Sequence, residues 1–276
     1  MGLFDVFRYD GKRALVVGGA TGMGAAAAEL VLDAGADVVV MDFADVTLPG
    51  VTAIHVNLAE RDSIDAALDA LDGPVDALFS CAGVADGTPG IERINFIGHR
   101  YMIDRLLERG LLPSGSSIGM ISSAAGLGWE SNLEQLHELL DISEWDDAVD
   151  WVERNGKADY LSMKQAMCAY VAREAYPLLK HGVRINAICP GPTDTPLAQA
   201  NAETWLGFGA DYRADLGIEA STPLEQAMPL VYLCSDAATA ITGQTVISDA
   251  GYISAGITNA FPDAAMAASF LLGRLG

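Results

Sequence analysis

The run Ala14-Leu-Val-Val17 leads straight into Gly18-Gly-Ala-Thr-Gly22-Met-Gly24, and the glycines give way to an alanine-rich stretch that reaches Ala34 before Gly35 stops it. That order reads as strand, glycine turn, helix. Backbone N–H groups of such a turn, with the N-terminus of the helix it opens, can face a pyrophosphate, and side chains there would block the approach. An ordinary tight βα turn gives the same glycines, so the context on either side carries the weight.

The context repeats along the chain. Apolar, strand-like runs follow at Asp37–Met41, Ala53–Val56, Ala77–Ser80, Ser117–Ser122, Arg184–Ile188 and Thr245–Ser248, and helix-like stretches lie between them at Asp62–Leu71, Ile97–Arg109, Tyr160–Tyr176 and Pro223–Ser235. Strands apolar on both faces that alternate with helices imply an α/β fold, a doubly wound parallel sheet covered on both sides. No repeat or linker divides the 276 residues, and such folds commonly reach about 250 residues as one domain, so residues 1–276 read as a single domain.

Composition narrows the function classes. Lys and Arg number 16 against 37 Asp and Glu, a formal charge of −21. A surface of that sign repels nucleic acid and anionic lipid, so neither is expected as a partner. Cys81, Cys168, Cys189 and Cys234 lie far apart and read as small buried hydrophobes in a reducing compartment. His55, His99, His137 and His181 lack ligand spacing; no metal role is assigned, and exposed or helix-end positions are expected. The N-terminus shows no secretory pattern and no apolar stretch is long enough to span a bilayer, which points to a cytoplasmic protein.

Asp42 closes the second strand-like run, 18 residues beyond Gly24. A carboxylate there can accept both ribose hydroxyls of NAD and would repel the 2′-phosphate of NADP, and neither the glycine turn nor Phe43 offers a basic side chain to that phosphate. A strand-end cap is the plainer role for the same residue. Tyr160 and Lys164 share a helical face at i and i+4. An ammonium so placed favours phenolate and lowers the tyrosine pKa towards the range of a general acid/base. A hydroxyl at the end of Ile121-Ser122-Ser123 could hold a substrate oxygen beside that tyrosine.

With these elements in order, the chain resembles the short-chain dehydrogenase/reductase family. The matching residues are Gly18-x-x-x-Gly22-x-Gly24, Asp42, Cys81-Ala-Gly83 where the family has Asn-Ala-Gly, Asn95, the Ile-Ser-Ser strand end, Tyr160-x-x-x-Lys164, Arg184-x-Asn186, Pro190-Gly191-x-x-x-Thr195, and Gly243-Gln244 with Asp249-Ala-Gly251. They run from about residue 12 to 252. The resemblance implies a Rossmann fold in which Tyr160 is the acid/base, Lys164 lowers its pKa and binds the nicotinamide ribose, Ser123 orients the substrate oxygen, and Asn95 supports a proton relay through water. Ser123 is preferred to Ser122 because the second serine occupies the catalytic slot. It further implies that Gly18, Ala20, Thr21, Gly22, Met23 and Gly24 bind the cofactor phosphates, Asp42 and Phe43 its ribose end, and Asn57 and Leu58 its adenine. Cys81, Ala82 and Gly83 pass beneath it, and Pro190, Gly191, Thr193 and Thr195 line the nicotinamide side. Val17, Asn57, Cys81 and Ala250 depart from the family pattern; a thiol at 81 cannot duplicate the hydrogen bonds by which an amide braces the sheet.

Ser123 and Tyr160 stand 37 residues apart, more than is usual in the family. The intervening segment 124–159 holds ten acidic residues against Arg154 and Lys157, and contains Trp129, Trp145 and Trp151. Two capping-box patterns, Ser131-x-x-Glu134 and Ser143-x-x-Asp146, predict two helices, the second ended by Asn155-Gly156. This helical insertion is either a solvated pair with its aromatics in the core, a substrate lid, or a subunit contact. Its presence resembles the bacterial 3α-hydroxysteroid dehydrogenase/carbonyl reductase and coniferyl-alcohol dehydrogenase branch. The apolar tail 252–276 would cover its own domain or complete a neighbour, and a homo-oligomer, dimer or tetramer, is expected. The function implied is NAD-dependent interconversion of an apolar alcohol and its ketone or aldehyde. An NAD-dependent epimerase or dehydratase, or a non-catalytic NAD-binding sensor, are the alternatives.

Overall fold

A computed structural model describes residues 2–274; Met1 and residues 275–276, the end of the apolar tail, lie outside the described residues. Seven strands form one parallel sheet: β1 (Arg13–Val17), β2 (Asp37–Asp42), β3 (Thr52–His55), β4 (Ala77–Ser80), β5 (Ser117–Ile121), β6 (Arg184–Pro190) and β7 (Thr245–Ser248). Their order is β3-β2-β1-β4-β5-β6-β7, and every pairing is parallel. The chain steps outward from β1 to β3, then returns to the other side of β1. The direction of winding reverses between β1 and β4, and that switch point opens a crevice at the carboxyl ends of these two strands.

Among the described residues twelve α-helices accompany the sheet: α1 (Gly22–Asp33), α2 (Arg61–Asp69), α3 (Gly98–Glu108), α4 (Leu133–Leu140), α5 (Trp145–Arg154), α6 (Tyr160–Lys180), α7 (Pro196–Gln199), α8 (Ala202–Trp205), α9 (Ala210–Leu216), α10 (Pro223–Cys234), α11 (Tyr252–Ile257) and α12 (Ala265–Leu271). The sheet has a core on each face because successive strand residues point to opposite sides. Leu15, Val17, Val39, Met41 and Leu78 join α2, α3 and α6 on one face. Ala14, Val16, Val38, Val40 and Phe79 join α1 and α10 on the other. The capping box the chain does form is Thr222 with Glu225, at the start of α10.

The segment 124–159 forms the two expected helices, α4 and α5, but not with the expected caps. Neither N-terminus has a side-chain cap bond. The Ser131 hydroxyl donates instead to the Gly273 carbonyl, 3.0 Å away, and Asn132 donates to Gln165 on α6 at 2.8 Å. At Ser131 a tertiary partner has taken the group that the local pattern assigned to the helix end. Asn155 and left-handed Gly156 do end α5. Leu136, Leu139, Leu140, Trp145 and Trp151 are buried in the core of the α2, α3 and α6 face, with Trp145 edge-on to Tyr101 of α3. In the tail, Ala264 and Ala268 are buried while Met266 and Phe270 face outward. Among the described residues no helix is long and apolar enough to cross a membrane.

Candidate active site

Gly18 closes β1 at φ +86°, a conformation that favours glycine, and a Cβ on it would collide with the Ala82 backbone. A Cβ on Gly24 would fall on the Gly18 carbonyl. The glycines are therefore demanded by the chain's own close packing at the turn as well as by any ligand. The turn forms one side of a cleft of about 500 Å³ that runs past Asp42 and Phe43, then Asn57 and Leu58, to Ala82, Gly83 and Thr195. No Lys or Arg is among the residues lining it. Asp42 accepts the Ala20 N–H at 2.8 Å and the Ala44 N–H at 2.9 Å, so the plainer role of strand-end cap is real. Ala20 is held by this bond and does not line the cleft.

The cleft joins a smaller cavity of about 260 Å³, with Met23, Cys81, Gly83, Thr195 and Leu197 common to both. Ser123, Tyr160, Lys164, Pro190, Gly191 and Thr193 face this cavity. Asp159 caps α6 by accepting the Ser162 N–H, and the Asp86 carboxylate accepts the Tyr160 N–H at 2.6 Å, so the first turn carrying Tyr160 is held twice. The Ser122 hydroxyl donates to the Lys164 carbonyl at 2.9 Å, fastening β5 to α6, whereas the Ser123 hydroxyl accepts the Ala125 N–H at 3.2 Å and lines the cavity with the Tyr160 phenol. Lys164 is buried; its ammonium donates to the Ile121 carbonyl at 2.8 Å and stands 5.6 Å from the Tyr160 ring centre.

The electrostatics differ from the sequence expectation. Burial pushes the Tyr160 phenol up to about 12, the Ser123 hydroxyl opposes this, and the Asp86 carboxylate adds to it. Burial also brings Lys164 down to about 8. Lys164 is not among the groups that shift the phenol here; one of its three donors is taken by the Ile121 carbonyl, and the others are left to face the cavity. Asn95 also sits elsewhere than the cavity wall. It lies in a π-helical turn, Arg93–Ile97, fully buried, and its amide both accepts the Val84 N–H at 2.8 Å and donates to the Val84 carbonyl at 2.9 Å.

Three features escaped the sequence reading. Trp205 on α8 packs against Tyr160 with ring centres 4.9 Å apart, and Phe208 follows it on the cavity wall. Leu271 of α12 adds a wall from the tail. Of the insertion 124–159, for which a lid was one of three open roles, only Ala124 and Ala125 line the cavity, whereas the segment after Thr195 supplies Leu197, Ala198, Thr204, Trp205 and Phe208. A Trp-x-x-Phe pair soon after the Pro-Gly-x-Thr-x-Thr stretch was the available signal. Last, His99 is fully buried, not exposed, and Cys81 is half-buried on the wall shared by both spaces.

Known proteins resemble this chain in sequence and fold. The family model described as Enoyl-(Acyl carrier protein) reductase matches residues 148–253. The chain is 31% identical over 274 residues to 2-keto-3-deoxy-L-fuconate dehydrogenase of Xanthomonas campestris pv. campestris, covering 89% of this chain and 81% of that one. It is 29% identical over 196 residues to coniferyl-alcohol dehydrogenase of a Pseudomonas species, covering 67% and 74%. The crystal structure of 3-alpha-hydroxysteroid dehydrogenase from Pseudomonas sp. B-0831 complexed with NADH superposes with a TM-score of 0.71 at 25% identity, over 90% of this chain and 99% of that one. Sheet order, site geometry and likeness along nearly the whole length converge: this chain belongs to the short-chain dehydrogenase/reductase family of oxidoreductases.

Proposed function

We propose that the chain interconverts a hydrophobic secondary or aromatic alcohol, of the hydroxysteroid or coniferyl-alcohol type, and its carbonyl compound, with NAD as the hydride partner. The observation that carries this reading is that Ser123, Tyr160 and Lys164 meet on one side of a cavity otherwise walled by Met23, Leu197, Trp205, Phe208 and Leu271. A half-buried apolar wall of that composition favours an apolar, ring-bearing substrate and offers no cation to a carboxylate or phosphate other than Lys164.

The cleft suits a dinucleotide. Gly18, Gly22 and Gly24 leave bare backbone at the N-terminus of α1, whose first turn carries no acidic residue to repel a pyrophosphate. Asp42 offers a carboxylate to ribose hydroxyls, and the absence of Lys and Arg from the lining favours NAD over NADP. Bound there, the nicotinamide is the hydride acceptor in oxidation and the donor in reduction. Tyr160 takes the alcohol proton in one direction and returns it to the carbonyl oxygen in the other, while Ser123 Oγ holds that oxygen beside the phenol. Burial suits the protonated phenol to donate, and Lys164, one turn along α6, is the cation available to favour phenolate when the proton must be taken.

The same reading includes self-association. Edge strand β7 and the neighbouring α10 expose Val246, Leu224 and Met228, a face suited to a second copy. Light scattering of the purified protein should give the mass of a dimer or a larger oligomer.

The test follows nicotinamide absorbance with NAD or NADP and a panel of hydroxysteroids, coniferyl-type alcohols and simple secondary alcohols. Tyr160→Phe should lower kcat by about 10²–10⁴-fold with NADH affinity nearly intact. Substantial activity in Tyr160→Phe refutes the role of the phenol.

A further inference from the structure

We propose that His99 is the positioning residue that fixes the floor of the cofactor cleft, supplying through a neutral imidazole the brace that Cys81 cannot. This rests on the reading of residues 81–83 as the segment beneath the nicotinamide cofactor. His99 opens α3 directly after the π turn and is fully buried. Its Nε2 stands 3.0 Å from the Ala82 carbonyl and its Nδ1 2.8 Å from Ser80 Oγ. A carbonyl only accepts, so Nε2 carries the proton; Nδ1 then accepts from the Ser80 hydroxyl. One ring thus spans the thiol-bearing residue and ties the chain on both sides of it to α3.

The brace reaches the cleft by contact. The Cys81 and Ala82 N–H groups both donate to the Val17 carbonyl, at 2.8 and 2.9 Å, and Ala82 is the residue a Cβ on Gly18 would strike. The position of Ala82 therefore sets that of the glycine turn. Two residues on, Asn95 holds Val84 from the same end of α3. Between the two clamps lies Gly83, where a Cβ would come within 3.6 Å of Lys164 Nζ. Lys164 is also the cation that His99 faces from α6, which adds to the cost of protonating the ring in a buried place.

The experiment measures NADH affinity by fluorescence titration, and steady-state kcat and cofactor KM, for wild type, His99→Leu, His99→Gln and the double variant Cys81→Asn/His99→Leu. Losing both neutral hydrogen bonds should weaken NADH binding and raise cofactor KM by roughly ten- to thirtyfold in His99→Leu, with kcat at saturating cofactor within about threefold. His99→Gln, which keeps a donor for the Ala82 carbonyl, should recover part of the loss, and an amide at 81 should recover most of it. If His99→Leu does not fold, Ser80→Ala, which frees only Nδ1, should still raise the NADH Kd about threefold or more. NADH affinity unchanged in the folded variants, or no recovery from Cys81→Asn, overturns the inference. A wild type that binds neither NADH nor NADPH overturns the cofactor reading beneath it.

Discussion

Asp42 is where cofactor choice can be reversed, and its effect can be sized from its surroundings. Its two oxygens already accept the Ala20 and Ala44 N–H groups at 2.8 and 2.9 Å, which aims the carboxylate along the cleft and leaves it lone pairs for ribose hydroxyls. Asp42→Ser combined with Phe43→Arg removes that acceptor, and a hydrogen bond to a charged group contributes about 1.5–3 kcal/mol to NAD binding. The same change removes a repulsion against the 2′-phosphate. At about 4 Å and an effective dielectric near 20 this is about 4 kcal/mol, but Asp42 is half-exposed and solvent screening reduces it to about 1–2 kcal/mol. Together the two effects, about 2.5–5 kcal/mol, shift the NAD-to-NADP ratio of kcat/KM by roughly a hundred- to several-thousandfold towards NADP. Steady-state kinetics with both cofactors, beside NADH and NADPH titrations, read the shift. The Ala20 and Ala44 bonds are lost as well, so Tm should fall by about 2–4 °C. A folded variant whose cofactor ratio stays within threefold of wild type refutes the argument, and would mean that Asp42 serves only the turn.

Three further outcomes follow from the same geometry. His99 lies at about 4 in the folded chain against 6.5 unfolded, because burial disfavours its cation. As pH falls from 6.5 towards 4 the unfolded chain takes up a proton that the folded one does not, and stability drops by up to roughly 3 kcal/mol; urea unfolding against pH should show this part of the slope vanish in His99→Gln. Trp205→Ala removes the ring that stands 4.9 Å from Tyr160, and should raise KM for ring alcohols about three- to tenfold while barely affecting short open-chain alcohols, as substrate profiling would show. Leu271→Asp sets a charge in the cavity wall and should cut kcat/KM for apolar substrates about tenfold or more with cofactor affinity unchanged.

The inner strands were legible because a strand buried on both faces leaves an unbroken apolar run, as Val38 to Met41 does; the edge strands β3 and β7 are largely uncovered and showed themselves only by their short β-branched stretches. The glycine turn and the Tyr160/Lys164 pair were legible because each is a short local spacing with one geometric outcome. What escaped was set by distant parts of the chain. Ser131 resembled a helix cap until the Gly273 carbonyl competed for its hydroxyl. The three tryptophans of the insertion drew attention to a lid, yet Trp145 and Trp151 anchor α5 in the core, Trp129 is half-buried just before α4, and the tryptophan beside the phenol is Trp205. Lys164 stood at the right spacing from Tyr160, but no spacing reveals that the Ile121 carbonyl engages its ammonium. His99 carries no motif at all, and its role follows only from β4 and α3 lying side by side.

The assignment of neighbouring β1 residues to opposite cores has a consequence for how the molecule comes apart. Val16 serves the α1 and α10 layer and Val17 the α2, α3 and α6 layer, so the two layers share a wall one backbone thick. Neither sheet of helices can melt and leave its partner whole, because the strands it would expose are the other's support. Cooperativity is thus written into the alternation of side chains along a five-residue strand, and damage to either face is felt as loss of the whole.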